Sequence, residues 1–284
     1  MPYTGRIAPT PTGRLHLGHA RTFATAWRRA RAAGGRLIFR TEDIDFHRCR
    51  PAFATAAMAD LRALGLDWDE GPDVGGPHAP YDQHRRTALF LKTWAALRDA
   101  GAIYPCRRSR KDLANATVAP HADDDAEPLY PPAWRPDAGF GRDFVEPGDW
   151  NWRFRVPDGE RLVFDDALAG PQAFTAGSDF GDFAVWRRDG IPAYELAVVA
   201  DDIAMGITEV VRGRDLLLST ARQLLVYRAL GAPSPAWAHA PLVCDEQGRR
   251  LAKRTAGLSI RELLDRGFSA EAILDGPVGP LIAT

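Results

Sequence analysis

The stretch Arg6-Ile7-Ala8-Pro9-Thr10-Pro11-Thr12-Gly13-Arg14-Leu15-His16-Leu17-Gly18-His19-Ala20-Arg21 carries three local signals end to end. Arg6–Ala8 reads as a short strand. Pro9 to Gly13 reads as a turn, because proline presets φ and glycine relaxes it. A helix is predicted next: Ala20, Phe23, Ala24, Trp27 and Ala30 recur at helical spacing, and Gly34-Gly35 stops it. Arg36–Arg40 is the following strand and runs into the acidic group Glu42, Asp43 and Asp45. A strand–helix–strand unit predicts a parallel pair joined by a right-handed crossover.

His16 and His19 fall where the first strand gives way to the helix. Open α/β sheets take ligands at the carboxyl ends of their strands, and a helix N-terminus turns N–H groups toward phosphates. Two imidazoles there can donate hydrogen bonds to charge developing on phosphate oxygens. Gly18 lets the backbone approach a flat adenine ring without a Cβ between them. The competing reading is a pair of solvated histidines capping a helix, and the tetrapeptide alone does not separate the two.

Outward from this unit, helical patterns run around 51–65 and 83–100. Residues 115–150 are rich in Pro, Asp and Gly, contain Asp123-Asp124-Asp125, and read as a surface loop of an inserted subdomain. Apolar β signals return at 152–168 and 182–187. Ala193–Val199 and Ile207–Val211 are expected to be buried strands, and 214–231 an amphipathic helix. Leu242–Asp245 and Arg249–Lys253 flank the turn signal Glu246-Gln247-Gly248, so a hairpin is expected there.

The chain has 284 residues, 45% of them apolar and 26% charged, enough for a sizeable core. Lys plus Arg number 36 against 37 for Asp plus Glu, a net charge of −1. Bulk charge therefore gives no argument for nucleic acid, and a basic surface would have to be local. Three scattered cysteines argue against a disulfide framework. The first residues carry no apolar run, and no window reaches the roughly 18 apolar residues of a membrane span. The expectation is a cytoplasmic enzyme.

Four blocks together resemble the class I glutamyl-tRNA synthetases. Arg6–Arg21 resembles their first signature, the HIGH region. Phe39-Arg40-Thr41-Glu42-Asp43-Ile44-Asp45 resembles the acidic segment that follows. The third block is Tyr194–Asp202, then Gly206–Thr208, then Val211–Leu216. Arg250-Leu251-Ala252-Lys253-Arg254 stands at the place of the KMSKS loop. The resemblance covers 5–260 and is weakest at 107–150. It implies a Rossmann-like parallel sheet with an inserted α+β subdomain, a short C-terminal helical extension and no anticodon-binding domain. The implied divisions are 1–100, 101–185, 186–240 and 241–284. Lack of a continuation past the last signature points to the shortened branch that glutamylates queuosine at the wobble position of tRNA(Asp).

By resemblance the substrates are ATP, L-glutamate and tRNA, Mg2+ accompanies the ATP, and the chain is a monomer. The implied glutamate residues are Arg6, Ala8, Thr10, Glu42, Tyr194 and Arg212. Arginines suit this task because a guanidinium can hold a carboxylate in a bidentate fork. Glu42 is expected to meet the α-ammonium. His16, Gly18, His19, Arg250 and Lys253 are expected at the ATP, with His16, His19 and Lys253 acting on the reaction. Arg250 and Ala252 depart from the signature; the hydroxyl donor lost at Ala252 is worth roughly 1–3 kcal/mol.

Family members often hold zinc in the inserted subdomain through a Cys-x-Cys pair and a Tyr-x-x-x-Cys pair. The matched positions here are Cys106, Arg108, Tyr130 and Trp134, a set with too few ligands for structural zinc. No zinc is expected, Trp134 is expected to fill space, and Arg108 to pair with an acidic neighbour. Recruitment of His121 with Asp123 or Asp125 is the alternative. Three other readings stay open: glutamylation of a tRNA 3′ end or other acceptor, a non-catalytic RNA- or amino-acid-binding paralogue, and a nucleotidyltransferase without an amino-acid pocket.

Overall fold

The computed structural model describes residues 2–108, 112–113, 129–244 and 259–282. The opening unit forms as the sequence predicts. Strand β1 (Thr4–Ile7) pairs in parallel with β2 (Arg36–Phe39) across helix α1 (Leu17–Ala32), with Ile7 opposite Phe39. Gly34 follows the helix at φ 59°, the left-handed conformation that ends helices cheaply. A Cβ at Gly35 would come within 2.6 Å of Tyr3, so the strand can enter only past a glycine.

Helices α2 (Pro51–Ala63) and α3 (Thr87–Asp99) follow, as the periodicity predicts. Strand β8 (Glu209–Gly213) pairs in parallel with β9 (Ala236–Ala240), and β9 touches the end of β5 (Arg161–Asp166), whose other edge pairs with β6 (Gly170–Thr175). The Thr208 N–H donates to Thr4 O at 2.9 Å, which brings β1 alongside the start of β8. Strands β3 (Ile103–Cys106), β4 (Asn151–Phe154) and β7 (Phe183–Trp186) make a separate antiparallel sheet. β5 and β6 thus lie within 101–185 by sequence but join the sheet of the flanking halves.

One strand expectation is wrong. Ala193–Val199 is not extended; Tyr194–Ala204 is helix α4. Leu196, Ala197, Val198, Val199, Ala200, Asp201 and Asp202 are all buried, so the helix shows no polar face. Without that face a short apolar run has no 3.6-residue alternation and is indistinguishable from a buried strand. Helix α5 (Leu217–Ala229) matches its prediction after a single 3-10 turn over Arg214–Leu216.

Two apolar cores result. One contains Trp94 edge-on to Trp152 at 4.8 Å and reaches β4, β7, α4 and α5. The other lies beneath α1 and includes Ile260, Leu263, Ile273 and Leu281 from three short helices, α6 (Ile260–Asp265), α7 (Ala270–Asp275) and α8 (Val278–Ile282). These helices are the expected C-terminal extension. Arg21 on α1 donates to Ile273 O and Gly276 O, and Asp60 on α2 pairs with Arg261 at 2.8 Å. Their docking has a consequence for the site: the Ile260 N–H donates to Leu15 O at 2.8 Å, and Ser259 bridges His16. No helix among the described residues is long and apolar enough to cross a membrane.

Candidate active site

The carboxyl ends of β1 and β8 and the N-terminus of α1 enclose a cavity of about 830 Å3. Arg6, Ala8, Thr10, His16, Gly18, His19, Glu42, Tyr194 and Arg212 all line it. Every expected site residue in the described part of the chain is therefore brought to one place. Arg250 and Lys253 lie outside the described residues, as do Ala252 and the hairpin expected from residue 245 on. Leu242 and Val243 on one side of that stretch and Ser259 on the other line the same cavity.

At one end sits the imidazole pair. His16 caps α1: its Nδ1 accepts from the Gly18 N–H at 3.2 Å, and His19 Nδ1 accepts from the His16 N–H at 3.2 Å. A backbone N–H can only donate, so both Nδ1 atoms carry lone pairs and both protons sit on Nε2. The reciprocal cap thus fixes the tautomer that makes each Nε2 a donor. The ring centroids lie 3.8 Å apart. A Cβ at Gly18 would come 3.2 Å from the His16 ring, so this glycine also keeps the imidazole in place.

The other end is strongly charged. Arg6 is buried at 4% exposure, donates to Val211 O at 2.7 Å and stands 3.8 Å from Asp202. Arg40, fully buried and unrecognised in the sequence reading as a site group, joins Asp202 at 2.6 Å and Glu42 at 3.0 Å. Burial pushes the Glu42 carboxyl above the usual range, and Arg40 and Arg6 pull it back. Tyr194 is 38% exposed, but desolvation toward its hydroxyl raises that group to about 12.

Arg212 is 5% exposed, yet among the described residues its partners are all neutral. Its guanidinium donates to Thr220 Oγ1 at 2.7 Å, Gln223 Oε1 at 2.9 Å and His239 Nε2 at 3.1 Å. Two further contacts, to the Tyr194 hydroxyl and Leu216 O, are long at 3.4 Å. A buried cation with only neutral partners is costly. It becomes favourable when a ligand carboxylate takes the weakly used donors.

The positions matched to a zinc site also cluster. Cys106 Sγ lies 3.1 Å from the Tyr130 hydroxyl and accepts from the Arg108 N–H at 3.3 Å, while Trp134 packs edge-on to Tyr130. The Arg108 guanidinium stacks over Trp134 at 4.7 Å; the acidic run Asp123–Asp125 lies outside the described residues. An indole face is a favourable neighbour for a guanidinium. Cys106 is the one good thiolate ligand of the set, and a stacked cation stands over the cluster, so these residues do not fit zinc. His121, Asp123 and Asp125 lie outside the described residues, and no metal-ligating trio occurs among the described ones. Elemental analysis of chelator-free protein is expected to find far less than one zinc per chain; a stoichiometric content would refute this.

A model of the catalytic domain of class I tRNA synthetases (E and Q) matches residues 3–278. The chain belongs to that family. It is thus a ligase of the aminoacyl-tRNA synthetase type, and the fold inferred from the sequence is that of its catalytic domain. Among the relatives of this synthetase chain is the glutamyl-Q tRNA(Asp) synthetase of Symbiobacterium thermophilum, 50% identical over 273 residues, covering 95% of this chain and 84% of that protein. The enzyme of the same name from Nitratidesulfovibrio vulgaris is 51% identical, over 95% of this chain and 83% of its own. A solved glutamate-tRNA synthetase from Elizabethkingia anophelis superposes with a TM-score of 0.78 at 28% identity, over 94% of this chain. The chain spans about half of that structure, 54% of its length.

Proposed function

We propose that this cavity activates L-glutamate with ATP and passes the glutamyl group to the queuosine at the wobble position of tRNA(Asp). The observation that carries the glutamate half is Arg212: a buried guanidinium, held by neutral groups, in one cavity with Arg6 and Glu42. A substrate with two carboxylates and an ammonium complements two cations and one anion. The names of two relatives that this chain covers over 84% and 83% of their length support the queuosine acceptor.

In the first step an α-carboxylate oxygen of glutamate attacks the α-phosphorus of ATP, and the bond to the β-phosphate bridge breaks, releasing pyrophosphate. Charge gathers on the phosphate oxygens, where the Nε2–H groups of His16 and His19 donate. In the second step a hydroxyl of the acceptor attacks the carbonyl of the mixed anhydride and AMP leaves. No protein nucleophile is required; positioning and electrostatics carry both steps. Mg2+ enters with the ATP phosphates as part of that substrate, since the cavity's carboxylates, Glu42, Asp215 and Glu262, form no metal-binding trio. Arg250 and Lys253 are proposed to reach the phosphates from the stretch whose two flanks line the cavity.

A second reading has its own support. The solved structure compared above is a glutamate-tRNA synthetase, and a glutamate–tRNA ligase of Acidithiobacillus ferrooxidans is 41% identical over 96% of this chain. Those names point to a tRNA 3′ end. Labelled glutamate, ATP and tRNA(Asp) carrying or lacking queuosine separate the two, followed by nuclease cleavage to locate the label. Label in the anticodon fragment of queuosine-containing tRNA alone is the expected result. Label at the 3′ end, independent of queuosine, would replace the first reading by the second.

A further inference from the structure

Behind Arg212, away from the cavity, lies a chain of buried groups. His239 on β9 is fully buried, and its Nε2 accepts from Arg212 Nε at 3.1 Å. Its Nδ1 lies 2.5 Å from Asp166 Oδ2. Asp166 closes β5 and accepts four backbone N–H bonds' worth of partners from three residues: His239 at 3.0 and 3.1 Å, Leu168 at 3.0 Å and Ala169 at 2.7 Å. On the other side of the guanidinium, Gln223 accepts from Arg212 and donates its Nε2 amide to Glu195 at 2.9 Å. The Asp166 and Glu195 carboxylates are thus each linked to the arginine through one neutral side chain.

The arrangement has a definite electrostatic meaning. A carboxylate touching Arg212 would orient it but also neutralise it, and an incoming carboxylate would then meet repulsion. An imidazole and an amide orient the same guanidinium through hydrogen bonds and leave its charge in place. For this the imidazole must be neutral with its proton on Nδ1, the tautomer Asp166 imposes by accepting a hydrogen bond from Nδ1–H.

We propose that His239 is a positioning residue for substrate selection: an uncharged acceptor, held in one tautomer by Asp166, that aims Arg212 while leaving its charge for a substrate carboxylate. Burial, and after it the Arg212 charge, pulls the His239 pKa down from 6.5 to about 4 despite Asp166, with Arg6 acting in the same direction. The imidazole is accordingly neutral at physiological pH. Asp166 is held below the usual carboxylate range: burial opposes this, but the N–H bonds from His239, Ala169 and Leu168 outweigh it. Thr220, within 3.1 Å of His239 Nε2 and 2.7 Å of Arg212, braces the same junction.

The inference rests on the glutamate reading of the cavity, so the test has two independent arms on the full chain. The first needs no substrate: nitrogen-15 NMR of the histidines, with His239 assigned by its loss in His239→Gln. Expected between pH 5.5 and 8 is a neutral ring with the proton on Nδ1. A cationic ring at pH 7, or the proton on Nε2, overturns the proposal.

The second arm is kinetic. His239→Leu removes the acceptor and is expected to raise the glutamate KM roughly tenfold to a hundredfold, with the ATP KM shifted less than about twofold. His239→Gln places an amide oxygen near the Nε2 position and is expected to recover most of that loss. Equal KM values for the Leu and Gln variants, or a loss shared by ATP, would reduce His239 to a packing residue. If the Leu variant does not fold, the Gln variant decides: a glutamate KM raised as steeply as a hundredfold contradicts the relay. A wild-type chain that does not use glutamate refutes the glutamate reading instead, and the NMR arm then decides the relay by itself.

Discussion

Arg212→Lys is expected to raise the glutamate concentration needed for half-maximal ATP–pyrophosphate exchange by about a hundredfold or more, with the ATP requirement nearly unchanged. The guanidinium reaches Thr220, Gln223 and His239 in three directions at once and still has two weakly used donors toward Tyr194 and Leu216. An ammonium has three donors on a flexible stem and cannot hold that pattern while also facing a ligand. Losing one side of a desolvated, hydrogen-bonded charge pair costs about 2–5 kcal/mol, which is the source of the factor. Initial-rate exchange at saturating ATP, with a thermal melt to verify folding, reads the effect. An equal loss for glutamate and ATP would make Arg212 a structural residue.

The second large effect separates two duties of one histidine. His16→Asn is expected to slow exchange about a hundredfold while shifting stability by less than about 1 kcal/mol. Asparagine is among the best N-cap residues, so its side-chain oxygen can accept the Gly18 N–H in place of Nδ1. It cannot place a donor where the Nε2–H stood. If His16 were only a cap, the variant would retain its rate. If the fold depended on the imidazole pair, it would melt early. A stable, slow enzyme with little change in glutamate KM is the outcome that assigns the ring to the phosphates.

These expectations come from positions that differ in how legible they were. The first strand, turn and helix could be read directly, because proline, glycine and the spacing of Ala20, Phe23, Ala24 and Ala30 are local signals that tertiary packing did not override. Helix α4 could not, since burial on all sides erased the polar face on which the 3.6-residue period depends. His16, Gly18 and His19 could be placed from the strand-to-helix turn alone, whereas the glutamate residues were found because four short blocks stood in a familiar order; Arg212, directly after the apolar Val210-Val211, signalled that it needs a partner but not which one.

The supporting groups were invisible for a different reason. His239 stands between Ala238 and Ala240 on a buried strand, and its partner Asp166 is 73 residues earlier in the chain. A lone histidine in an apolar strand reads as core packing, and no spacing rule connects residues that meet only through β5 and β9. Arg40 did carry a signal, a charge directly after the apolar strand residues Leu37–Phe39. A buried arginine needs carboxylates, and Asp201 and Asp202 on α4 supply them, at 3.8 and 2.6 Å. Reading α4 as a strand hid that pairing. Arg108 gave no sign in the sequence of the aromatic face of Trp134 on which it stacks, since the two are 26 positions apart.

Glutamate activation by the chain alone is the claim on which the rest depends. Arg6, Glu42, Tyr194 and Arg212 share one cavity with His16 and His19. The direct test is ATP–pyrophosphate exchange by the purified chain with Mg2+ and no tRNA, comparing L-glutamate with L-glutamine and L-aspartate. Exchange with glutamate and little with the other two is predicted, because the amide of glutamine gives Arg212 and Arg6 one carboxylate where they offer places for two. No exchange with glutamate, equal exchange with glutamine, or exchange that begins only when tRNA is added would contradict the account.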